Sequence, residues 1–214
     1  MWELNENLNV KSYEIQGSTI YIVDNIYKYP DKVGRYLFNR NDVPLWKNDN
    51  TSQSRNGKDF DDRRYLEPKE IPIHAYLEQL CGQKLSDRGL ITNQTRFLQN
   101  QYNQKYKDHY WWAHTDSGYN GIIYFNHDSI NGTNLYYQNC PLPNENEHVD
   151  PWTSKKNMVL LHYLEPKFNR LVLFNGKKFL HGMAINDDRY HCKRFVNAPW
   201  NTYRCNQVFF LCGN

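Results

Sequence analysis

Short apolar stretches, cut by Asn, Gly, Asp and Pro, recur along this chain, and their spacing changes character partway. Thr19-Ile20-Tyr21-Ile22-Val23 reads as a strand ended by Asp24-Asn25. Pro30-Asp31 then opens a helix-like stretch through Val33, Tyr36, Leu37 and Phe38, with proline at a helix start, where its missing N–H costs nothing. Residues 47–64 are polar and mixed in charge and read as a loop. Ile71 to Leu80 carries apolar residues at 73, 76, 77 and 80, the spacing of one helical face, with Gly82 as its stop.

From about residue 95 the pattern turns to strands. Thr95–Leu98, Gly121–Phe125, Asn134–Tyr137, Met158–Leu161, Leu171–Phe174 and Gln207–Leu211 are β-rich runs with turn residues at their borders. Segment 139–157, rich in Pro, Asn and Glu, reads as a long polar insertion. N-terminal helices followed by a series of short strands predict a mainly β fold with flanking α. Its architecture is expected to be a double-stranded β-helix, or jelly roll, with the helices packed on one sheet. With no internal repeat, a single domain over 1–214 is expected: 1–94 as strand and helix support, 95–212 as the jelly-roll core.

Composition narrows the class. At 214 residues with 39% apolar and 15% aromatic content the chain has material for a sizeable core, which excludes a disordered protein. No run nears the roughly 20 apolar residues of a membrane helix, so no membrane partner is expected. The net charge of +3 is weak and scattered, which speaks against nucleic acid as a partner. The N-terminus has neither a basic region nor an apolar segment, and five cysteines without a Cys-x-x-Cys pair suit reduced thiols. A cytoplasmic location is the expectation, the host cytoplasm if the chain is phage-encoded.

His114-Thr115-Asp116 follows Trp111-Trp112 and precedes a strand. A His and a carboxylate two positions apart beyond a strand end can take adjacent places on a metal, and an open two-His, one-carboxylate set suits ferrous iron. A second His-x-Asp, His148-Val149-Asp150, lies in the polar insertion, where the backbone is a poor support for ligands. His181 is the best third ligand. His162 is its rival, but it lies mid-strand, where a satisfied structural histidine is expected. Packing or surface roles are expected for His74, His109, His127 and His191. In the last strand, period-2 alternation sets Arg204, Asn206, Val208 and Phe210 on one face. An inward arginine needs an anion, either a carboxylate ligand or an Asp or Glu of the chain itself.

This order of features resembles the Fe(II)/2-oxoglutarate-dependent dioxygenases, closest to the prolyl-hydroxylase-like branch with its small bacterial and phage members. It is carried by His114-x-Asp116, the strand Ile122-Ile123-Tyr124-Phe125-Asn126, the turn Asn131-Gly132-Thr133, the strand Asn169 to Phe174, His181 and Arg204. The resemblance implies that His114, Asp116 and His181 bind Fe(II) and that Arg204 clamps the far carboxylate of 2-oxoglutarate. Asn100-Gln101-Tyr102 resembles an Asn-x-Tyr whose side chains touch the co-substrate, which makes Asn100 and Tyr102 further candidates. O2 as co-substrate and ascorbate as reductant come with the same resemblance.

The activity it implies is hydroxylation of a C–H bond in a peptidyl substrate, prolyl side chains among the options, or in a small molecule, with release of succinate and CO2. Two departures stand out. A single glycine stands in the turn, and Arg204 comes later after His181 than is usual, which leaves Arg189 and Arg194 as rival clamps. Tyr110-Trp111-Trp112 could wall the cavity or belong to plain core. A jelly roll with other metal chemistry, or a non-catalytic cupin-like or carbohydrate-binding module, is the alternative.

Overall fold

Alternation of apolar residues along the strands sorts the core of this protein into two clusters on opposite faces of one sheet. The computed structural model describes residues 2–38, 60–66, 72–97, 106–111, 113–127, 131–137, 152–186 and 204–212. Its sheets are antiparallel. The largest has seven strands, made of β1 (Val10–Ile15), β2 (Ser18–Val23), β3 (Phe60–Leu66), β4 (Lys84–Phe97), β6 (Tyr119–Tyr124), β10 (Arg170–Asn175) and β12 (Arg204–Cys212). They lie in the order β1-β2-β10-β6-β12-β4-β3. A three-stranded sheet has the order β11-β7-β9, from Leu180–Met183, Thr133–Tyr136 and Leu160–Leu164, and β5 (His109–Trp111) pairs with β8 (Trp152–Ser154).

On one face of the large sheet Ile123 lies on β6 and Phe125 just after it, Leu171 and Leu173 lie on β10, and Cys205, Phe209 and Leu211 lie on β12. These pack with Val33 and Leu37 of α1 (Pro30–Phe38) and Ile73 and Leu77 of α2 (Pro72–Cys81). The intervening positions Ile122, Tyr124, Val172 and Phe174 face the other way and meet Leu135 of β7 and Leu164 of β9. The described core is thus layered as helices, large sheet, small sheet, with β6 and β10 at the centre of the large sheet buried on both sides. Among the described residues no helix is long and apolar enough to cross a membrane, and Cys81 and Cys205 are free thiols.

The expectation of a mainly β chain with helices against one sheet holds, and α2 ends at Gly82, whose φ of +70° suits a glycine stop. Several boundaries differ. Residues 60–64, expected in a loop, belong to β3, whose charged sequence suits the edge position it takes beside β4. Strand character begins at Lys84 rather than at 95, because β4 runs polar through Thr92-Asn93-Gln94-Thr95 and so hides its length from hydropathy. Strand β9 lies later than Met158–Leu161, and β1, an edge strand with mostly exposed side chains, left little apolar signal. Residues 152–154 of the expected insertion form β8, while 138–151 lie outside the described residues.

Two local devices hold neighbouring strands together within each sheet. Arg170 Nε donates to Asp24 Oδ1 at 2.6 Å and its Nη2 to Asp24 Oδ2 at 3.2 Å, a forked pair between β10 and the end of β2. That hydrogen bonding, first among the causes, holds the Asp24 carboxyl below its ordinary value despite partial burial. At Gly132 an added Cβ would run into the Leu164 carbonyl and come within 2.7 Å of Pro166 Cδ, so only glycine fits between β7 and β9.

Gly132→Ala should therefore cost about 2–4 kcal/mol, read from denaturant or thermal unfolding. The Asp24 pair generates a pH signature. Because the folded carboxyl titrates below 3.8, its contribution is complete above that value and disappears as pH falls through the folded value. Asp24→Asn should lower stability by about 1–2 kcal/mol at pH 7. The gap between variant and parent should close in melts taken at progressively more acid pH below the unfolded value; a gap that stays constant there would contradict this account.

Candidate metal centre

The sequence segment between β5 and β6 is too short and too rich in Thr, Ser and Gly to add a long strand, yet it is pinned at both ends by main-chain bonds. His114 N donates to His181 O at 2.9 Å and His181 N to His114 O at 2.8 Å, an isolated antiparallel bridge to β11. Asp116 N then donates to Gly176 O at 2.9 Å, and Gly176 N to Gly118 O at 2.8 Å. These bonds set two residues remote in sequence side by side, so that their imidazole centroids lie 4.5 Å apart.

On β11, Leu180 points outward against Ala113, Tyr136 and Met158, so alternation turns His181 inward, where its ring meets Phe174 edge-on at 4.9 Å. His181 Nδ1 lies 2.9 Å from Phe179 O, an acceptor only, which assigns the ring proton to Nδ1 and leaves the Nε2 lone pair toward the cavity. That Nε2 is 3.2 Å from Asp116 Oδ2, and His114 Nε2 is 3.8 Å from the same oxygen. His181 and Asp116 are buried, whereas about a third of the His114 side chain, 34%, is exposed, so the group opens to solvent on the His114 side.

Burial by itself would raise the Asp116 pKa. The hydrogen bond and charge of His181, the charge of His114 and the hydrogen bond from Asn120 outweigh it and hold Asp116 at about 2. The carboxylate is therefore anionic at neutral pH and faces two imidazoles, with all donor atoms within 4.8 Å of one another. Two neutral nitrogens and one anionic oxygen, with the remaining side open, fit a divalent first-row metal and suit redox iron better than a closed structural zinc site.

Inside the sandwich lies the second half of the site. Arg204, at the start of β12, is buried. Its Nε donates to Asn131 O at 2.7 Å and its Nη2 to Gly132 O at 3.1 Å. Its guanidinium carbon stands 6.0 Å from the Tyr124 ring centroid. Tyr124 OH and Thr133 Oγ1 share a 2.7 Å hydrogen bond across the two sheets. Burial, offset in part by Arg204, pushes the Tyr124 phenol up to about 12, so it stays a neutral donor. Asn131 adopts φ +58°, which asparagine tolerates, and its Oδ1 accepts from Asn186 N at 2.7 Å. This explains how an Asn-Gly turn serves where two glycines would be expected.

Of the residues singled out from sequence, His114, Asp116 and His181 are brought together, and Arg204 points into the same sandwich interior. Asn100, Tyr102, Arg189, Arg194, His148, Asp150, Trp112 and His191 lie outside the described residues. His162 has the structural role expected of it, 2.8 Å from Tyr13 OH, and His127 stacks on Phe168 at 3.9 Å. His109 is on strand β5 rather than in a loop, and Trp111 packs edge-on against Trp152 at 5.0 Å.

Asn120, Tyr124 and Thr133 were not singled out for the site. The available signal was weak: Asn120-x-Ile122-x-Tyr124 is one face of a strand, and a buried asparagine opening an apolar face asks for a partner. Comparison with known proteins adds nothing to this picture, because no family model matches the chain and no curated protein matches it.

Proposed function

We propose that this protein is a non-haem Fe(II)- and 2-oxoglutarate-dependent dioxygenase that hydroxylates a C–H bond of a peptidyl or small-molecule substrate. The observation that carries the reading is the convergence of two imidazole Nε2 atoms, at 3.2 and 3.8 Å, on one carboxylate oxygen, in a protein whose sheet interior also holds a buried arginine. Strand order supports the jelly-roll architecture this reading expects. Taken along the chain, β4, the His114 bridge, β6, β7, β9, β10, β11 and β12 pass from large to small sheet and back. The sandwich closes as β4-β12-β6-β10 against His114-β11-β7-β9.

His114, Asp116 and His181 would hold the metal, with His181 oriented by Phe179 O and Asp116 kept ionised by its neighbours. Iron bound there supplies the oxidative chemistry, in which substrate C–H, 2-oxoglutarate and O2 become substrate C–OH, succinate and CO2. The protein's part is to bind, orient and exclude water. Arg204 is fixed by two backbone carbonyls, so its charge is presented in a set direction to a diacid. Tyr124 and Thr133, whose hydroxyls lie in the same interior, offer neutral donors to the same carboxylate. Apolar Phe174, Leu135 and Ile122 form the core between the sheets and keep bulk water, which would screen the attraction of charged groups, away from the groups beside it.

The purified protein, given ferrous iron and ascorbate, should convert 2-oxoglutarate to succinate, slowly even without its prime substrate. His114→Ala, Asp116→Ala and His181→Ala should each abolish conversion and iron binding, whereas His148→Ala should leave both intact. Loss of iron in the His148 variant alone would overturn the ligand assignment. Iron binding without succinate would point instead to the cupin-like alternative. Arg204→Met should raise the KM for 2-oxoglutarate by roughly tenfold or more, with iron affinity unchanged. A KM equal to the parent's would move the clamp to Arg189 or Arg194.

A further inference from the structure

One polar group at the metal centre has no part in the scheme above. Asn120 is buried at the start of β6, with Nδ2 2.5 Å from Asp116 Oδ2 and 2.9 Å from His181 Nε2. Its Oδ1 is buried and has no hydrogen-bond partner. Without a metal this is the orientation its neighbours demand. The carboxylate oxygen is an acceptor, and so is His181 Nε2 in the neutral ring, whose proton sits on Nδ1 against Phe179 O; the hydrogen bond from His181 to Asp116 described above belongs to the protonated ring. An amide oxygen facing them would be repelled.

A cation would take one lone pair from each, and His181 Nε2, which has only one, cannot serve the amino group and a cation together, although Asp116 Oδ2 can. Asn120 must therefore respond when a cation binds. Gly176 walls it closely: a Cβ added there would lie 2.8 Å from Asn120 Nδ2 and 3.0 Å from its Cγ. Rotation of the amide about its last bond needs no such space, because it exchanges two atoms of nearly equal size. It also breaks no bond at Oδ1, which makes none. The oxygen then stands where Nδ2 stood, at 2.5 and 2.9 Å from the two ligand atoms. Adjacent donors on a six-coordinate first-row ion, with bonds of about 2.1 Å, are about 3 Å apart.

We infer that Asn120 is a fourth protein donor of the metal centre. Its amino end covers the ligands of the metal-free chain, and its carbonyl oxygen turns to the ion on binding. This rests on the metal-site reading of His114, Asp116 and His181. A neutral amide oxygen is a weaker donor than the carboxylate, and so Asn120 is the protein ligand best able to give up its place to an incoming molecule.

Cobalt(II), which reports coordination through its visible absorption, tests this by titration into the whole chain and its variants. Asn120→Ala should weaken cobalt binding at least tenfold and change the visible band as water replaces the amide. Asn120→Asp, of the same shape with an anionic oxygen, should tighten binding at least tenfold. If Asn120 only holds Asp116 through its N–H, both variants bind more weakly and the inference is overturned; unchanged or tighter binding by Asn120→Ala overturns it as well. If Asn120→Ala does not fold, the sign of the Asn120→Asp shift decides. Failure of the metal-site reading is told apart by His181→Ala, since cobalt bound at parental affinity there removes the triad itself. A parent chain that takes no cobalt sinks both.

Discussion

The reciprocal main-chain bond between His114 and His181 is the constraint on which the site depends. A hydrogen-bonded antiparallel pair holds its two Cα atoms at about 5.5 Å and sends both side chains to the same face. Here that geometry sets two imidazoles side by side, with 4.5 Å between ring centroids, although the residues come from segments separated by β6 to β10. Asp116 is then delivered by the second anchor, its N–H to Gly176 O, two residues further on. Backbone bonding thus does the assembling. The side chains complete it through Phe179 O on His181 and through the charges that keep Asp116 ionised.

Around this bridge, three other asparagines act as pins rather than as chemistry. Asn126 Oδ1 accepts from Cys205 N at 2.7 Å and ties β6 to the start of β12, one residue after Arg204. Asn169, at φ +61°, bonds both main-chain groups of Tyr27 at 3.0 and 2.8 Å and holds the start of β10 against the N-terminal segment. Asn131 turns the chain at left-handed φ and presents the carbonyl that Arg204 grips. A side-chain amide that mimics a peptide can close such gaps in a ladder, and a left-handed backbone costs asparagine less than most residues. Three of the motif positions that carried the family resemblance are therefore joints that hold β10, β12 and Arg204 in place.

The large sheet has unlike faces. Among the described residues its helix side carries Val23, Ile123, Leu171, Leu173, Phe209 and Leu211, and the Tyr27 hydroxyl donates to Gln207 Oε1 at 2.9 Å. Toward the small sheet it is apolar around Ile122, Val172 and Phe174, and polar at Asn120, Arg204 and Asn206. Burying such groups is unfavourable unless each meets a partner, so their presence marks the part of the sandwich shaped for binding rather than for stability. The same asymmetry explains which strands were legible. Strands β2, β6, β10 and β12 are buried and apolar enough to announce themselves, whereas β1 and β3 at the edges, the long polar β4 and the three-residue β5 and β8 carry almost no periodic signal.

Local order in the chain was enough to single out the residues that converge. His114 and Asp116 lie two apart beyond a strand, His181 follows a buried strand, and the alternation in β12 turns Arg204 inward; each is a short-range property of neighbouring residues. What no short-range property holds is which distant segments meet. Asn120 joins the metal centre only because β6 passes beside β11 and Gly176. Tyr124 and Thr133 share a hydrogen bond only because the two sheets stack face to face. Pairing of strands far apart along the chain is decided by the packing of whole sheets, and that energy is spread over a core no single segment contains.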